Sequence, residues 1–245
     1  MQVLKGVDSL SGDVGPLFVV VGVFDGLHLG HAYLLEQLVG EAARRSAAAT
    51  VVTFDHHPDE ILIGNAPPVL LDPGERLERL AAAGVAVTVV QHFDEELRRT
   101  TYDRFVERIR ARVALSGFLM TPDAAFGFER RGTPEALVEM GERDGFDVVV
   151  VPPFDLAGRP VRSTEIRELI RTGDLLGAAA LLGRPVALTG TVADGRLVFD
   201  LPMAVPPDGR YEGLVDGLAA RIEIEGGVVS LRGAQASGRV SVAFA

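Results

Sequence analysis

Short apolar runs alternate with amphipathic stretches over the first two thirds of the chain. The apolar runs predict buried strands, and stretches whose apolar residues recur every three or four positions predict helices. The predicted strands cover residues 17–23, 49–54, 85–90, 116–121 and 146–151. The predicted helices cover residues 32–45, 72–80, 93–97, 102–108, 134–143 and 161–170. This alternation indicates an α/β fold with a doubly wound parallel sheet, preceded by a short lead-in over residues 1–16.

Composition narrows the possible classes of protein. A net charge of −10 argues against a general nucleic-acid surface, and the absence of cysteine excludes disulfides, thiolate chemistry and cysteine-zinc sites. Hydrophobic residues make up 47% of the chain, which is enough for a sizeable core, but no run reaches the roughly 18 apolar residues that a membrane span needs. Because no export signal is evident, we predict a cytoplasmic protein without a membrane partner.

One stretch combines a strand end, glycines and histidines: Gly22-Val-Phe-Asp-Gly-Leu-His-Leu-Gly-His31. It predicts a buried strand, a tight turn and the start of a helix. His28 and His31 are three residues apart, so both can lie on one face of the first helical turn. Gly26 and Gly30 leave room for phosphates near a helix start that favours anions. The pattern indicates a polyphosphate site; the alternative is a helix cap with two surface histidines.

The spacing His-x-Gly-His after a strand is typical of the nucleotidylyltransferase superfamily. The ten-residue form resembles the adenylyltransferase part of bacterial FAD synthetases. Residues 161–170 resemble that family's second signature, with matches at Ser163, Thr164, Ile166 and Arg167 and with Arg162 in place of a serine. A Ser/Thr capping box is the alternative interpretation of this second segment. The resemblance implies a Rossmann-like domain in which the segments near residues 28 and 164 face each other across one polyphosphate.

The resemblance also implies roles for residues in both signatures. The catalytic residues would be His28, His31 and Arg167. The nucleotide-binding residues would be Gly22, Phe24, Asp25, Gly26, Gly30, Ser163 and Thr164.

Two further loops resemble the family's flavin-binding segments. The acceptor-binding residues that they imply are Thr53, Phe54, His57, Pro58, Asp123, Phe126 and Gly127. His56 stands where the family has proline, and Ala124 replaces an aromatic residue. An ordinary turn at the end of a strand and a glycine-phenylalanine turn packed in the core are the alternatives for these two loops.

The segment after Arg184-Pro185 resembles a shortened riboflavin kinase barrel. Residues 188–192, 206–213 and 239–244 resemble its strands, but residues 201–204 lack the threonine and asparagine of the kinase motif. We therefore predict two domains, residues 1–184 and a small β module over residues 185–245, without riboflavin kinase activity.

The resemblance implies transfer of AMP from ATP to FMN, with Mg²⁺ on the phosphates and its protein ligands unassigned; Asp25 and Asp123 are candidates near the metal or the acceptor. Two alternatives stay open. One is a related nucleotidylyltransferase with another phosphate acceptor or nucleotide, and the other is a non-catalytic protein that binds flavin or nucleotide. Assembly into a homo-oligomer is also left open.

Overall fold

A computed structural model describes residues 1–232 and 237–245 of the chain. The chain forms two compact units. The first comprises Met1–Phe24, His31–Pro67 and Leu77–Phe154, and the second comprises Asp25–Gly30, Pro68–Arg76 and Asp155–Ala245. The division into residues 1–184 and 185–245 stays a prediction.

The first unit is built on a six-stranded parallel sheet. The strands are β1 (Gln2–Lys5), β2 (Leu17–Val21), β3 (Ala48–Phe54), β4 (Val87–Gln91), β5 (Leu115–Met120) and β6 (Asp147–Val150). They lie in the order β1-β4-β3-β2-β5-β6. The chain therefore moves outward from β2 through β3 and β4, and then continues on the other side through β5 and β6. This confirms the predicted doubly wound sheet, whose strand order reverses between β2 and β5.

Helices alternate with these strands along the chain. They are α1 (Leu29–Arg44), α2 (Asp59–Leu62), α3 (Pro73–Ala82), α4 (Glu95–Arg99), α5 (Tyr102–Arg110) and α6 (Pro134–Asp144). The central strands are buried on both faces: Val19 and Val20 are 0% and 3% exposed, and Val51 and Val52 are 0% and 1% exposed. This explains why β2 and β3 appear in the sequence as continuous apolar runs rather than as alternating patterns.

The predicted lead-in over residues 1–16 is wrong in its first part. Gln2–Lys5 forms β1, which pairs in parallel with β4 at the edge of the sheet. A strand of four residues that is largely exposed has too little hydrophobic pattern to be recognised from sequence, and its partner β4 supplies the alignment.

The second unit contains two helices and a closed antiparallel barrel. Its elements are β7 (Asp155–Leu156), β8 (Arg159–Pro160), α7 (Ser163–Thr172), α8 (Leu175–Leu182), β9 (Ala187–Ala193), β10 (Arg196–Val198), β11 (Gly209–Val215), β12 (Leu218–Glu225), β13 (Val228–Arg232) and β14 (Gly238–Phe244). The barrel order is β10-β13-β12-β11-β14-β9, and this confirms the predicted C-terminal β module.

The sequence interpretation missed β10, β12 and β13, although the turns that precede them carry a signal. Asp194-Gly195, Asp216-Gly217 and Gly226-Gly227 each join two antiparallel barrel strands. Both residues of each pair have positive φ, from 47° to 84°. Two consecutive residues of this kind form the two-residue turns that match the twist of a hairpin, and Asp-Gly and Gly-Gly are favoured there. Across the described part of the chain, no helix is both long enough and apolar enough to cross a membrane.

Candidate functional site

The turn after β2 has an unusual backbone. Phe24, Gly26 and Leu27 have φ values of 53°, 81° and 38°. A side chain in this region of φ costs about 1–3 kcal/mol and persists only where packing holds it. The Phe24 ring is 2% exposed and lies against the His31 ring, with 5.1 Å between the centroids. A Cβ atom on Gly22 would lie 3.1 Å from the Phe24 ring, so glycine makes room for this packing.

The carboxylate of Asp25 is buried within the second unit. Its Oδ1 accepts a hydrogen bond of 2.9 Å from the Leu70 N–H, and its Oδ2 accepts one of 2.5 Å from Arg167. The Arg167 Nε also donates to the Pro68 carbonyl at 2.8 Å. Burial raises the pKa of the Asp25 carboxyl above its ordinary value, while Arg167 and the Leu70 N–H oppose that rise. Arg167 therefore holds Asp25 in place as a partly compensated buried ion.

A second contact joins the same turn to the start of α7. The Ser163 hydroxyl donates to the Asp25 carbonyl at 2.9 Å. The N-cap residue of α7 is Arg162, and its side chain makes no capping hydrogen bond. The alternative of a Ser/Thr capping box is therefore wrong. The Ser163 contact brings the two sequence signatures together, and their facing each other across one polyphosphate stays a prediction. Thr164 lies beside Ser163 with its side chain exposed.

His28 is buried in this unit, and its surroundings keep it uncharged. Burial, and to a lesser degree the charge of Arg184, lower the pKa of the His28 imidazole from 6.5 to about 4. At neutral pH the ring is a neutral hydrogen-bonding group rather than a cation. A Cβ atom on Gly30 would lie 3.1 Å from the His28 ring and 3.4 Å from the Val161 carbonyl, so only glycine fits without displacing the ring.

Arg184 is a site residue that the sequence interpretation missed. Its guanidinium donates to the Gly26 carbonyl at 2.6 Å and to the Leu27 carbonyl at 3.1 Å. These bonds hold the strained turn from the side of α8. A Gly-Arg-Pro segment appeared in the sequence only as the link before the β module, because no local pattern reveals a contact over more than 150 residues.

The first unit contains a cavity of 520 Å³ at the carboxyl ends of the central strands. Its lining is mainly apolar and comprises Val21, Gly22, Val23, Phe54, Pro58, Leu62, Phe93, Leu97, Arg98, Thr100, Phe105, Ala124, Ala125, Phe126, Gly127, Phe128, Glu129 and Arg130. The residues after β2 and β5 contribute to it, and the strand order reverses between these two strands. Ligands of open α/β sheets bind at such a reversal.

Four of the residues predicted to bind the acceptor line this cavity: Phe54, Pro58, Phe126 and Gly127. Gly127 has a φ of 77°, and a Cβ atom there would lie 2.5 Å from the Tyr102 nitrogen. The loop around the cavity therefore needs glycine at this position. Ala124, where the family has an aromatic residue, is also part of the lining.

Three other predicted acceptor residues make contacts within the protein. The Thr53 hydroxyl is buried and donates to the Val23 carbonyl at 2.9 Å. His57 Nδ1 accepts from the Asp59 N–H at 3.2 Å, and Asp123 accepts from the Thr121 hydroxyl at 2.8 Å. These contacts show how the loops are held, and a direct role for the three residues toward a ligand stays a prediction.

The cavity also has walls that the sequence interpretation did not assign to it. Phe93 and Phe105 contribute aromatic rings, and Arg98 and Arg130 contribute guanidinium groups. Phe93 lies edge-on to Phe54 with 5.4 Å between ring centroids. In the sequence these residues appear as ordinary positions of amphipathic helices and a loop, since only folding brings α4, α5 and the loops beside them to one cavity.

A comparison with family models matches residues 13–165 to the FAD synthetase model. The chain belongs to the FAD synthetase family. The bifunctional riboflavin kinase/FMN adenylyltransferase of Haemophilus influenzae is 32% identical over 197 residues, which cover 80% of this chain and 64% of that protein. The protein of the same name from Escherichia coli K12 is 30% identical over 198 residues, covering 80% and 63%. The chain thus spans less than two thirds of the length of these relatives.

One solved structure resembles nearly the whole chain. It is described as a macrolide-efflux protein from Streptococcus pneumoniae, and the TM-score is 0.81 with 22% sequence identity. The similarity covers 99% of this chain and 88% of that chain. At this identity the likeness concerns the fold alone, and it shows that the same architecture occurs in an experimentally determined structure.

Proposed function

We propose that this protein transfers AMP from ATP to FMN, giving FAD and pyrophosphate. The observation that carries the proposal is the junction between the two signatures, in which Ser163 and Arg167 of α7 bond the turn that leads to His28. Membership of the FAD synthetase family and the FMN adenylyltransferase names of two relatives support the same reaction.

The reaction places modest demands on the protein. An oxygen of the FMN phosphate attacks the α-phosphorus of ATP, the bond from that phosphorus to the bridging oxygen breaks, and pyrophosphate leaves. A phosphate monoester has a second pKa of about 6, so it is largely ionised at neutral pH and needs no general base. Catalysis then depends on alignment and on stabilising the charge of the transferred group.

We assign the proposed roles accordingly. His28 and His31 would contact the triphosphate, with His28 donating as a neutral imidazole because its pKa is about 4. Ser163 and Thr164 would approach phosphate oxygens at the start of α7, where backbone N–H groups favour anions. Arg167 would act mainly by fixing Asp25, to which it is already bonded.

The apolar cavity of the first unit is the proposed place for the flavin ring. Its volume of 520 Å³ lies within the roughly 300–1,000 Å³ of small-molecule sites. Phe54 and Phe126 would provide aromatic contact, and Arg98 and Arg130 are the basic residues of its wall.

The carboxylates of Asp25 and Asp123 already accept hydrogen bonds within the protein. Both oxygens of Asp25 accept from the Leu70 N–H, and one also accepts from Arg167. Asp123 accepts from the Thr121 hydroxyl. Mg²⁺ is commonly bound through substrate phosphates with only one or two protein carboxylates. The proposal therefore treats Mg²⁺ as part of the ATP substrate and assigns it no protein ligand.

A different phosphate acceptor is the second candidate. It is favoured by Ala124, which removes an aromatic wall from the cavity. An aromatic pair contributes about 0.5–1.5 kcal/mol beyond the area that it buries, so this change weakens the preference for a flat flavin ring. We further propose that the barrel does not phosphorylate riboflavin, because residues 201–204 lack the kinase threonine and asparagine.

A single incubation of the purified protein with ATP, Mg²⁺, FMN and riboflavin tests these proposals. Chromatography should show FAD and pyrophosphate formed from FMN and no FMN formed from riboflavin. Pyrophosphate release with another phosphate ester but not with FMN would support the second candidate. Binding of ATP and FMN without pyrophosphate release would instead indicate a non-catalytic protein.

Replacing His31 by alanine tests the catalytic assignment. We expect His31→Ala to lower turnover at least ~100-fold, the scale for losing one donor to the transition state. Glu60→Gln, which alters an exposed carboxylate of α2, is the matched control and should stay near the wild-type rate. A near-normal rate in His31→Ala would refute the assigned role.

A further inference from the structure

Two histidines and one aspartate converge at the carboxyl ends of β3 and β4 in the first unit. Asp55 and His56 follow β3, and His92 follows β4. The two strands are parallel neighbours, and their register pairs Phe54 with Gln91. The next residues of each strand, Asp55 and His92, are therefore brought side by side by the sheet itself.

Each of the three residues offers one potential ligand atom that lies within 4.8 Å of those of the other two. The Nδ1 of His92 is 2.7 Å from Oδ2 of Asp55, and the Nδ1 of His56 is 3.2 Å from Oδ1 of Asp55. Ligand atoms around one tetrahedral zinc ion, with bonds of about 2.0–2.2 Å, lie roughly 3.3–3.6 Å apart. Small side-chain rotations would thus bring all three groups to bonding distance of one ion.

The carboxylate at the centre of this cluster is held by the backbone. Asp55 Oδ1 accepts from the N–H groups of His56 at 2.8 Å and Phe93 at 3.3 Å. The Asp55 N–H in turn donates to the Gln91 carbonyl at 3.2 Å. Such surrounding hydrogen bonds orient a metal ligand before the ion arrives. His56 and His92 are more exposed, which leaves access from solvent.

We propose that Asp55, His56 and His92 bind one divalent transition-metal ion. Two imidazole nitrogens and one carboxylate oxygen favour ions such as Zn²⁺, Co²⁺ or Ni²⁺ over Mg²⁺, which prefers oxygen ligands. Three protein ligands leave at least one coordination position for water or an anionic ligand. The site is separate from the residues assigned to ATP, and Asp55 and His92 are the chain neighbours of Phe54 and Phe93, which line the cavity.

Titration of the chelator-treated protein with Co²⁺ tests this site without using enzyme activity. We expect one equivalent to bind and to give the visible absorption bands of Co²⁺ with nitrogen and oxygen ligands, and we expect Zn²⁺ to displace it. Asp55→Asn, His56→Pro and His92→Ala should each weaken binding at least ~10-fold. Glu60→Gln, an exposed carboxylate outside the cluster, should bind like the wild type.

Two outcomes would overturn the proposal. One is a wild-type protein that takes up no stoichiometric Co²⁺ or Zn²⁺. The other is binding that survives in the double variant His56→Ala/His92→Ala but disappears in His31→Ala, which would place the ion at the His-x-Gly-His segment. Circular dichroism of each variant checks that lost binding is not lost folding. Because the readout is metal binding, the result is independent of whether FMN is the acceptor.

Discussion

At the scale of single residues, the histidines of this chain show how position decides chemistry. His28 is buried, and burial lowers its pKa to about 4. His92 is exposed, and its hydrogen bond to Asp55 raises its pKa. Both imidazoles have the same ordinary pKa of 6.5. His28 directly precedes α1 and His92 directly follows β4, so neither sequence context indicates which way the pKa shifts. One imidazole is neutral at neutral pH because it is desolvated, and the pKa of the other is raised because it bonds to an adjacent carboxylate.

The burial of His28 predicts a pH dependence of stability. Between pH 6.5 and about 4 the unfolded chain binds a proton that the folded His28 excludes. The stability that depends on an uncharged His28 is therefore fully present above pH 6.5 and is lost as the pH falls toward 4. A shift from 6.5 to about 4 corresponds to about 3 kcal/mol. We expect His28→Gln to lack this part of the acid sensitivity in urea unfolding at pH 7 and pH 4.5.

His92→Gln is the matched control for this measurement, since that imidazole is exposed and belongs to a different cluster. It should keep the steep loss of stability between pH 6.5 and 4. Equal pH slopes for the wild type and His28→Gln would contradict the assignment.

At the scale of elements, the start of α7 is connected to the turn after β2 by side chains rather than by a helix cap. Arg162 occupies the N-cap without a capping bond, while Ser163 and Arg167 reach the Asp25 main chain and side chain. The side chains of Arg167 and Asp25 are 15% and 6% exposed, so this ion pair is largely shielded from water. Removing one partner of a buried pair is costly because it leaves an uncompensated charge.

Arg167→Met should therefore destabilise the protein by about 3 kcal/mol at pH 8. The loss should be smaller at pH 5. Burial raises the pKa of the Asp25 carboxyl, and that pKa rises further without Arg167, so a larger share of the carboxyl is protonated and uncharged at pH 5 than at pH 8. Urea unfolding at the two pH values measures this difference. The double variant Asp25→Asn/Arg167→Met should recover part of the stability, whereas an equal loss at both pH values would show that charge burial is not the cause.

At the scale of the whole chain, the segment that joins barrel strands β10 and β11 also bonds the segment before α3. The Val69 N–H donates to the Pro202 carbonyl at 2.8 Å, and the Ala204 N–H donates to the Val69 carbonyl at 2.9 Å. The next residue, Leu70, donates its N–H to Asp25. The segment between β10 and β11 thus fixes Val69, and the neighbouring Leu70 bonds Asp25. This gives the module a structural role that is independent of kinase chemistry.

A second tie between the barrel and the same segment is open to a matched test. The Thr189 hydroxyl of β9 donates to Glu75 of α3 at 2.7 Å. Thr189→Val keeps the shape but removes the donor, and we expect the unfolding free energy to fall by about 1–2 kcal/mol. Thr191→Val lies on the same strand at an exposed position and should change it by no more than about 0.5 kcal/mol. Chemical denaturation of both variants measures the difference, and equal effects would contradict this role.

The sequence by itself determined the elements whose signals are local. Short apolar runs located β2 to β6, and they are most continuous in β2, because a strand buried on both faces favours apolar residues on both. The two family signatures were recognised from residues 22–31 and 161–170, because each is a short continuous segment. Asp194-Gly195 is a further local signal, because Asp-Gly favours a two-residue hairpin turn and both residues have the positive φ of such a turn.

Only the tertiary structure decided which distant groups meet. The bonds of Asp25 with Leu70 and Arg167 depend on chain segments brought together by folding, as do the contacts of Arg184 with Gly26 and the convergence of Asp55 with His92. Such pairs leave no periodic pattern, because each partner has an ordinary local sequence and the contact arises from the order and register of the strands and the packing of the helices. Residue chemistry was therefore visible in the sequence, whereas the pKa values and hydrogen-bond partners followed from the fold.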